Sequence, residues 1–424
     1  MLDPVSAAER LWRALAPERW PLPAAALPPG SALVGGAVRD GLLGRLGPTP
    51  DLDVVVPEEA ISLCRRLQQR HGGACVVLDA ERSMARLVLG GWSLDLARME
   101  PGGLVDDLGR RDYTINAMAL PLAAGAALVD PHGGLAHLAA GTLVAISEAN
   151  LIDDPLRLLR GVRLASELGM ELAAASLAWI AAHRQRLSAV APERVLAELS
   201  KLAAAPLGHR GLALALAIGL LDPWRAWESA HDPQALLGLL NPERGQALGL
   251  TGEEQAQALP LARLCAVLRP QALEQLRSSR ALQQRCARLR PWQQRLGLAP
   301  EHEPATANDL SGDGSGDEAL LAEAERLSLH RALEPDLPAL LLQRPLKQAR
   351  HWLQRWRDHD DPLFHPRPPL NGADLQQALD LRPSPRLGAL LDHLTAERAF
   401  GRLRDREQAL DAARRWLSSR ADRR

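Results

Sequence analysis

The stretch PTPDLDVVVPEEA, residues 48–60, places two aspartates at the entrance of a short apolar run. The valines at 54–56 are β-branched, which favours a buried strand over these residues. Because side chains alternate between the faces of a strand, Asp51 and Asp53 share one face and Leu52 takes the other. Neighbouring carboxylates repel each other unless a positive group lies between them. The pattern therefore predicts a strand whose acidic end needs a positive partner.

The composition is that of an ordinary globular protein rich in helix. Of the 424 residues 46% are hydrophobic and 24% charged, which suffices for roughly two to four domains. Aromatic residues make up only 3%, so the cores must consist of Leu, Ala and Val. The net charge of −1 gives no overall attraction to nucleic acid, although a local basic stripe does not require one.

Nothing in the sequence predicts a membrane protein or a secreted one. The four cysteines show neither paired nor metal-binding spacing, which is typical of reduced cytosolic thiols. The N-terminus, MLDPVSAAERL at 1–11, lacks a basic region followed by an apolar one, so we expect no signal peptide. The longest apolar stretch, GLALALAIGLL at 211–221, is too short to span a bilayer and predicts a buried helix. We expect a cytoplasmic protein.

The N-terminal third differs in pattern from the rest of the chain. From 31 to about 146, short apolar runs alternate with helical stretches, which predicts an α/β or α+β domain with one modest sheet. Beyond 150 the pattern is almost entirely helical, apart from an acidic connector at 301–319 and a Pro-rich joint at 358–372. The apolar runs are ALVGG, LDVVV, ACVVLDA, ARLVLGG, WSLDLAR and AALVD.

A glycine pair lies ahead of the aspartates, in SALVGGAVRDGLLG at 31–44. We predict a short strand, a turn at Gly35 and Gly36, and a helix over 37–44. Adjacent glycines let backbone N–H groups approach a phosphate, and the following helix N-terminus adds a favourable dipole. Arg39 falls in the first helical turn, near where a triphosphate would lie. A glycine pair alone indicates only a turn, but with the carboxylates it predicts a nucleotidyl-transfer site that uses Mg²⁺.

LVGGAVRDGLLG followed by DLD resembles the first signature of the class II tRNA nucleotidyltransferase/poly(A) polymerase family. The resemblance implies an α+β N-terminal nucleotidyltransferase head, a polymerase-beta-like small sheet with helices, followed by an all-α neck, body and tail. Together with the breaks in pattern, it predicts five segments. They are an N-terminal extension (1–30), a catalytic head (31–147), a base-recognising neck (148–205), a helical body (206–357) and an RNA-binding tail (358–424).

The stretch DDLGRRDYTINAMAL at 106–120 resembles the family motif RRD-x-x-x-N-A. The motif places two donors and an acceptor side by side. Arg111 can hold a phosphate, and Asp112 can accept a hydrogen bond from a ribose hydroxyl, which would select NTP over dNTP. Taken alone, the stretch fits better the start of a salt-bridged helix in which Asn116 satisfies backbone groups.

The stretch LIDDPLRLLRGVRLASELGMEL at 151–172 carries a spaced set of arginines. Asp154, followed by a proline, predicts the N-cap of a helix. Arg157, Arg160 and Arg163 recur at every third position and so lie along one face of that helix. Taken alone, the stretch fits a capped helix with a solvated basic face.

The family resemblance gives this helix a further role. It implies that Asp154 and Arg157 read the base edge of the incoming nucleotide, so that the protein itself acts as the template. A carboxylate acceptor and a guanidinium fork suit the exocyclic amine and ring nitrogen of cytosine or adenine. Arg160 and Arg163 would support this site and reach phosphate. Asp153 stands where the family usually has Glu, which is a conservative difference.

A later segment, SAVAPERVLAELSKLA at 188–203, resembles the family's ERxxxEL-x-K segment. We interpret Glu193, Arg194 and Glu198 as a structural salt-bridge set that supports the neck helices. They are not expected to take part in catalysis.

A third carboxylate would complete a two-metal site. WSLDLARME at 92–100 places Asp95 in a strand that could neighbour Asp53, so Asp95 is the candidate third catalytic carboxylate. Asp79, in VVLDAERS, is a weaker rival and fits better as a residue at the end of a strand.

One departure from the family pattern bears on specificity. Full CCA-adding enzymes of this class carry a flexible loop before the RRD motif that helps to switch from C to A. Here LARMEPGGLVDDLGRRD, residues 96–112, is short and lacks the usual Arg- and Asp-containing insertion. The shortening raises the alternative of a partial activity that adds only CC or only A.

The combined motifs predict an enzyme that transfers nucleotides from CTP and/or ATP to the tRNA 3′ end. Asp51 and Asp53 would hold Mg²⁺, and the attacking ribose hydroxyl would displace pyrophosphate from the α-phosphate. The helical remainder would grip tRNA mostly by shape and by phosphate contacts. Two alternatives stay open: a poly(A) polymerase of the same family, and a non-catalytic RNA-binding protein on the same scaffold.

Overall fold

The chain divides into two compact units in its computed structural model. One unit comprises residues 1–202 and 217–220, and the other comprises 203–216 and 221–424. The described residues are 3–226, 233–296 and 321–419. The predicted connector at 301–319 therefore lies outside the described residues. The five predicted segments stay a prediction, since neither unit is divided further.

The first unit contains a mixed sheet of six strands in the order β3-β4-β5-β2-β1-β6. Strands β2 and β5 run parallel, and the other neighbouring pairs are antiparallel. The strands are β1 (Ala32–Val34), β2 (Leu52–Val56), β3 (Ala74–Asp79), β4 (Met84–Leu89), β5 (Trp92–Arg98) and β6 (Ala119–Pro121). Two short strands, β7 (Thr142–Leu143) and β8 (Glu171–Leu172), form a separate parallel pair.

Helices surround this sheet and continue beyond it. They are α1 (Pro4–Leu15), α2 (Gly36–Leu43), α3 (Ala60–His71), α4 (Leu104–Gly109), α5 (Gly134–Ala140), α6 (Glu148–Asp153), α7 (Leu156–Leu168), α8 (Ala174–His183) and α9 (Pro192–Ala204). Helix α1 is amphipathic and buries Leu11 and Leu15 in the same core as Val54 of β2. Asp3 caps α1 by accepting the backbone N–H groups of Val5 and Ser6. The core is thus continuous across the predicted boundary at residue 31.

The two faces of the sheet differ in what covers them. The large core lies on one face and contains Leu52, Val54 and Val56 of β2. A smaller cluster lies on the other face, with Val55 of the same strand among its members. Because side chains alternate along a strand, Asp53 shares this second face with Val55. The predicted separation of Asp53 from Leu52 is confirmed.

Two predictions about the edge of the sheet are wrong. The run AALVD does not form a strand and contributes only an isolated bridge between Val129 and Ala119. The RRD motif does not start an amphipathic helix: it follows α4, and a 3₁₀ turn (Thr114–Asn116) leads into β6. The strand that does form at this edge, β6, has only three residues and is too short to show the alternation from which strands are predicted.

The regular secondary structure among the described residues of the second unit is helical, apart from an isolated bridge between Arg225 and Leu268. Its helices are α10 (Gly208–Ala217), α11 (Pro233–Leu239), α12 (Pro242–Leu248), α13 (Gly252–Val267), α14 (Pro270–Gln275), α15 (Arg280–Leu296), α16 (Glu323–Leu333), α17 (Leu337–Leu341), α18 (Leu346–Arg357), α19 (Gly372–Leu379), α20 (Pro385–Ala399) and α21 (Arg406–Ser419). The predicted buried helix at 211–221 is confirmed as far as Ala217, where α10 ends; this helix buries Leu212 and Leu216. No helix among the described residues is long and apolar enough to cross a membrane.

Candidate active site

A row of charged side chains crosses the second face of the sheet. Asp53 on β2 is in register with Asp95 on the parallel strand β5. Arg86 on β4 is in register with Asp95 on its other side, and Val34 of β1 pairs with Asp53. Residues in register on neighbouring strands project from the same face, so the three charges lie side by side. The predicted placement of Asp95 beside Asp53 is confirmed.

Arg86 holds Asp95 through two hydrogen bonds. Its Nε donates to Oδ1 at 2.6 Å and its Nη2 donates to Oδ2 at 2.8 Å. Both oxygens of Asp95 are therefore engaged by one guanidinium fork, which is a strong carboxylate geometry. The rival candidate Asp79 ends β3 and accepts the backbone N–H of Arg82 at 3.0 Å, as expected for a residue at the end of a strand.

The glycine turn packs directly onto Asp53. Gly35 has a φ of +73°, a backbone conformation that favours glycine. A Cβ at Gly35 would lie 2.9 Å from Oδ2 of Asp53 and 3.5 Å from Nη1 of Arg111. The turn, the carboxylate and the arginine of the RRD motif are thus brought together, and α2 begins directly after the turn at Gly36. This close approach explains why position 35 needs a residue without a side chain.

The electrostatic environment of Asp53 disfavours its charge. Burial raises the pKa of the Asp53 carboxyl, the Arg111 guanidinium opposes that shift, and Asp95 and the exposed Asp51 add to it. Asp51 and Asp53 offer the hard oxygen ligands that Mg²⁺ prefers, and a cation between them would relieve the repulsion. No three His, Cys, Asp or Glu side chains converge as a metal cluster in the described part of the chain. The pair nevertheless fits Mg²⁺, which commonly binds one or two carboxylates together with substrate phosphates.

The side chain of Arg39 forms more hydrogen bonds within the protein than the sequence suggested. Its Nε and Nη2 donate to the two oxygens of Asp40, both at 2.8 Å, and its Nη1 donates to Oδ1 of Asn116 at 2.7 Å. Asn116 in turn donates from Nδ2 to Oδ1 of Asp112 at 3.1 Å. Asn116 therefore links the helix after the glycine turn to the RRD motif. Asn116 was expected only to satisfy backbone groups, although its place in the family motif was a signal for a further role.

Asp112 is a buried carboxylate surrounded by donors. Arg160 contacts its Oδ2 at 2.9 Å, and the backbone N–H of Tyr113 donates to Oδ1 at 2.7 Å. Burial acts to raise the pKa of Asp112, but Arg160, the Asn116 amide and the Tyr113 N–H together hold it below its usual value. With only 7% of the residue exposed, the surroundings favour a positioning role over the predicted contact with ribose.

Asn150 and Tyr113 join the RRD turn to the helices that follow. Nδ2 of Asn150 donates to the carbonyls of Gly109 at 2.8 Å and Arg111 at 2.7 Å. The Tyr113 hydroxyl donates to the carbonyl of Arg157 at 2.9 Å. A Cβ at Gly161 would lie 1.9 Å from that hydroxyl, so only glycine fits beside it. Asn150 was not predicted as a site residue, because its neighbours along the chain form no recognisable motif.

The predicted base-reading residues, Asp154 and Arg157, lie where α6 ends and α7 begins. Pro155, not Asp154, is the N-cap of α7, although Oδ1 of Asp154 still accepts the N–H of Leu156 at 3.3 Å. Oδ2 of Asp154 pairs with Nη2 of Arg194 at 2.9 Å. Nη1 of Arg157 donates to the Asn150 carbonyl at 3.0 Å, and burial lowers the pKa of this guanidinium. Asp154 and Arg157 lie in the same region, but their side chains form no hydrogen bond with each other.

Arg163 is buried among carboxylates. Its Nε donates to Oε2 of Glu198 at 2.6 Å, and its Nη1 contacts Glu167. Only 7% of Arg163 is exposed, so the predicted contact of this side chain with phosphate is not supported. The physical reason is the advance of 100° per residue along a helix, which turns position 163 inward while Arg160 reaches Asp112. The predicted structural role of Glu198 agrees with this buried pair.

Two protein-family models match the chain. The "Poly A polymerase head domain" matches residues 31–144, which include the glycine turn and the carboxylate row. The "Probable RNA and SrmB- binding site of polymerase A" matches residues 169–224.

Known relatives extend over almost the whole chain. A CC-adding tRNA nucleotidyltransferase of Synechocystis is 32% identical over 407 residues, covering 92% of this chain and 94% of the relative. An A-adding tRNA nucleotidyltransferase of Deinococcus radiodurans is 42% identical over 209 residues, covering 48% of this chain and 46% of that protein. The Thermotoga maritima CCA-adding enzyme, solved with tRNA, shares the fold with a TM-score of 0.65 at 18% identity, over 91% of both chains. The chain therefore belongs to the class II tRNA nucleotidyltransferase/poly(A) polymerase family.

Proposed function

We propose that this protein adds nucleotides from CTP and/or ATP to the tRNA 3′ end in a Mg²⁺-dependent, template-independent reaction in the cytoplasm. The full-length similarity to a CC-adding tRNA nucleotidyltransferase supports the substrate class. The observation that carries the chemistry is the packing of the Gly35 turn onto Asp53, with Arg111 beside both. A phosphate-binding turn next to a carboxylate that can bind metal suits a nucleoside triphosphate bound between them.

The triphosphate would bind across the glycine turn. Backbone N–H groups at Gly35 and Gly36 and the N-terminus of α2 face an anion favourably. Arg111 adds a guanidinium within the same cluster and offsets the negative charge of Asp53 and of the phosphates. Asn116 keeps Arg39 and Asp112 in place below this surface. Together these groups would orient the α-phosphate for in-line attack by the tRNA 3′-hydroxyl, with pyrophosphate leaving.

Asp51 and Asp53 would hold the metal. When bound there, the ion supplies charge neutralisation for the phosphates and lowers the pKa of the attacking hydroxyl. Asp95, as the third carboxylate, acts next to this pair while its own charge is balanced by Arg86. The raised pKa of Asp53 supports this assignment, because the ionised carboxylate lacks sufficient positive partners in the protein alone.

The base would be chosen at the start of α7. Asp154 is an acceptor and Arg157 a donor, as recognition of cytosine or adenine edges requires. Arg160 and Arg163 would hold this region in place through Asp112 and Glu198. For Asp154 to meet a base, its contact with Arg194 has to open or share an oxygen.

We further propose CC addition as the specific activity. The CC-adding relative is matched across 94% of its length. Between β5 and α4 only residues 99–103 intervene, which leaves no room for the longer loop associated with switching from C to A. A-only addition is the second candidate, since 48% of the chain is also matched, at 42% identity, by an A-adding relative.

Three tRNA substrates test the proposal. Purified protein is incubated with one tRNA that ends before C74, one that ends after the first C, and one that ends after CC, each with α-labelled CTP or ATP. CC addition predicts incorporation from CTP on the first two and none from ATP on the third. Incorporation from ATP on the third alone indicates A addition, and long adenylate ladders indicate a poly(A) polymerase. The absence of incorporation on all three contradicts the proposed function.

A further inference from the structure

Strand β3 is an edge strand with an unusual apolar surface. It forms one end of the six-stranded sheet, and among the described residues it pairs only with β4. Val76 is 48% exposed, Val77 43% and Leu78 45%. Side chains that are consecutive in a strand point to opposite faces, so β3 presents apolar groups to solvent on both faces as well as along its edge.

Edge strands of this kind are normally protected. Lysine, proline, inward-pointing charges or a covering helix prevent an open strand from pairing with another chain. The residues of β3, Ala74–Asp79, include neither lysine nor proline. A shift of register between Val77 and Asp79 affects only the end of the strand. On β4, Val88 is also 40% exposed and widens the apolar surface towards the start of β3.

We propose that β3 pairs antiparallel with β3 of a second copy of this chain. The pairing places two six-stranded sheets edge to edge around a twofold axis. Each copy gives the other the backbone donors and acceptors that its edge lacks, and each covers the apolar side chains of its partner. Formation of this dimer does not depend on the proposed reaction.

Charge at the two ends of β3 identifies a second copy as the partner. Arg70 and His71 lie at the end of α3, two glycines before the strand. Asp79 ends the strand and the exposed Glu81 and Arg82 follow it, so that two carboxylates stand against one guanidinium and this end stays acidic. In an antiparallel pair of identical strands, the basic end of each lies against the acidic end of the other. The strand is therefore complementary in charge to itself, as an interface between two identical surfaces requires.

The size of the surface predicts a weak, reversible dimer. β3 has six residues, and its exposed apolar side chains are few. An interface of that extent is smaller than the roughly 1,600 Å² of a standard stable complex. We therefore expect an association that depends on protein concentration, with a Kd in the micromolar range of weak complexes.

Sedimentation and light scattering across a concentration series test the proposal. The full chain is expected to move from a mass of 45.9 kDa towards twice that value as its concentration rises. Val77→Lys adds a charge at the centre of the edge and is expected to keep the protein monomeric at every concentration. Val5→Lys is the matched control, because Val5 is an exposed valine on α1, 54% accessible, and this variant is expected to dimerise normally.

A charge-reversal series tests the antiparallel arrangement independently of folding. Arg70→Glu alone is expected to weaken dimerisation, and adding Glu81→Arg in the same chain is expected to restore it. Circular dichroism and thermal unfolding that match the wild type show that the monomeric variants are folded. A wild-type chain that stays monomeric throughout the series overturns the proposal, and so does a Val77→Lys variant that dimerises like Val5→Lys.

Discussion

Arg86 binds both carboxylate oxygens of Asp95, on the strand next to the one that carries Asp53. The arginine thereby balances one of two acidic side chains that stand in register on β5 and β2. Asp53 has no such fork of its own, and its pKa is raised by burial and by its acidic neighbours. The negative charge left available to a cation is therefore concentrated on Asp53 and Asp51.

We expect Arg86→Met to impair the enzyme through Asp95. Without the guanidinium, the charge of Asp95 acts unopposed on Asp53. Since Arg86 is 40% exposed and Asp95 20%, solvent limits the loss of stability to about 1–2 kcal/mol. Chemical denaturation and incorporation kinetics measure the two effects. Arg66→Met, which removes an exposed ion pair with Glu58, is the control and is expected to change little. Equal behaviour of the two variants would show that Arg86 does not position Asp95.

We expect Gly35→Ala to abolish most activity because its Cβ meets the active site. The new carbon would lie 2.9 Å from Oδ2 of Asp53, so the carboxylate or the turn must shift. A displacement of this kind at reacting groups costs about a hundredfold in rate. Gly44→Ala is the matched control: it also has a positive φ, +68°, but its Cβ meets no atom within 4 Å. We expect Gly44→Ala to lose about 1–2 kcal/mol of stability and to keep its activity. Loss of activity in both variants to the same extent would point to backbone strain alone.

The parts of the fold that follow from local pattern could be predicted from the sequence. The valines of β2 fix a buried strand, and alternation then places Asp53 on the face opposite Leu52. The glycine pair marks the turn before α2. The three-residue strand β6 could not be predicted, since it shows no periodicity of its own and forms only by pairing with β1. Its neighbour Val129 lies in an apolar run that looks like a strand but makes a single bridge.

Many members of the site could be predicted from the sequence, but not the hydrogen bonds and ion pairs that they form. The motifs predicted that Asp112 contacts a ribose hydroxyl and that Arg163 reaches phosphate, whereas in the structure both side chains form internal ion pairs with partners from distant segments. Arg86 was not a candidate because its partner, Asp95, becomes a neighbour only when β4 and β5 pair. Asn150 likewise acts on carbonyls about forty residues away in the chain. Such contacts depend on tertiary structure and leave no local signal.

We expect Asp53→Asn to eliminate incorporation while stabilising the metal-free protein. The folded-state pKa of Asp53 lies above its unfolded value, so the ionised group opposes folding at neutral pH. This destabilisation by the ionised Asp53 becomes smaller as the pH falls from the raised folded-state pKa towards the unfolded-state value of about 3.9. Asparagine is uncharged and therefore removes it at every pH. The variant should therefore exceed the wild type in thermal stability at pH 7 and approach it in acid. Without the carboxylate that holds the metal, the transition state loses several kcal/mol of charge stabilisation, which predicts a decrease in rate of about a thousandfold.

Magnesium provides the control for this variant. Added Mg²⁺ is expected to raise the Tm of the wild type, because a ligand that binds only the folded state stabilises it. The same addition should have a much smaller effect on Asp53→Asn. An equal rise in Tm in both proteins would place the metal elsewhere than at Asp51 and Asp53.

We expect Arg163→Met to destabilise the protein far more than it affects nucleotide binding. The substitution leaves the buried carboxylate of Glu198 without its partner, and breaking a buried pair in this way costs about 3–5 kcal/mol. Adding Glu198→Leu removes the stranded charge and is expected to recover much of that loss. Denaturant unfolding measures both variants, with the exposed Arg186→Met as the control. The KM for CTP in the double variant decides the role of Arg163: a value near the wild type supports a structural role, whereas a large increase at restored stability would indicate direct contact with the nucleotide.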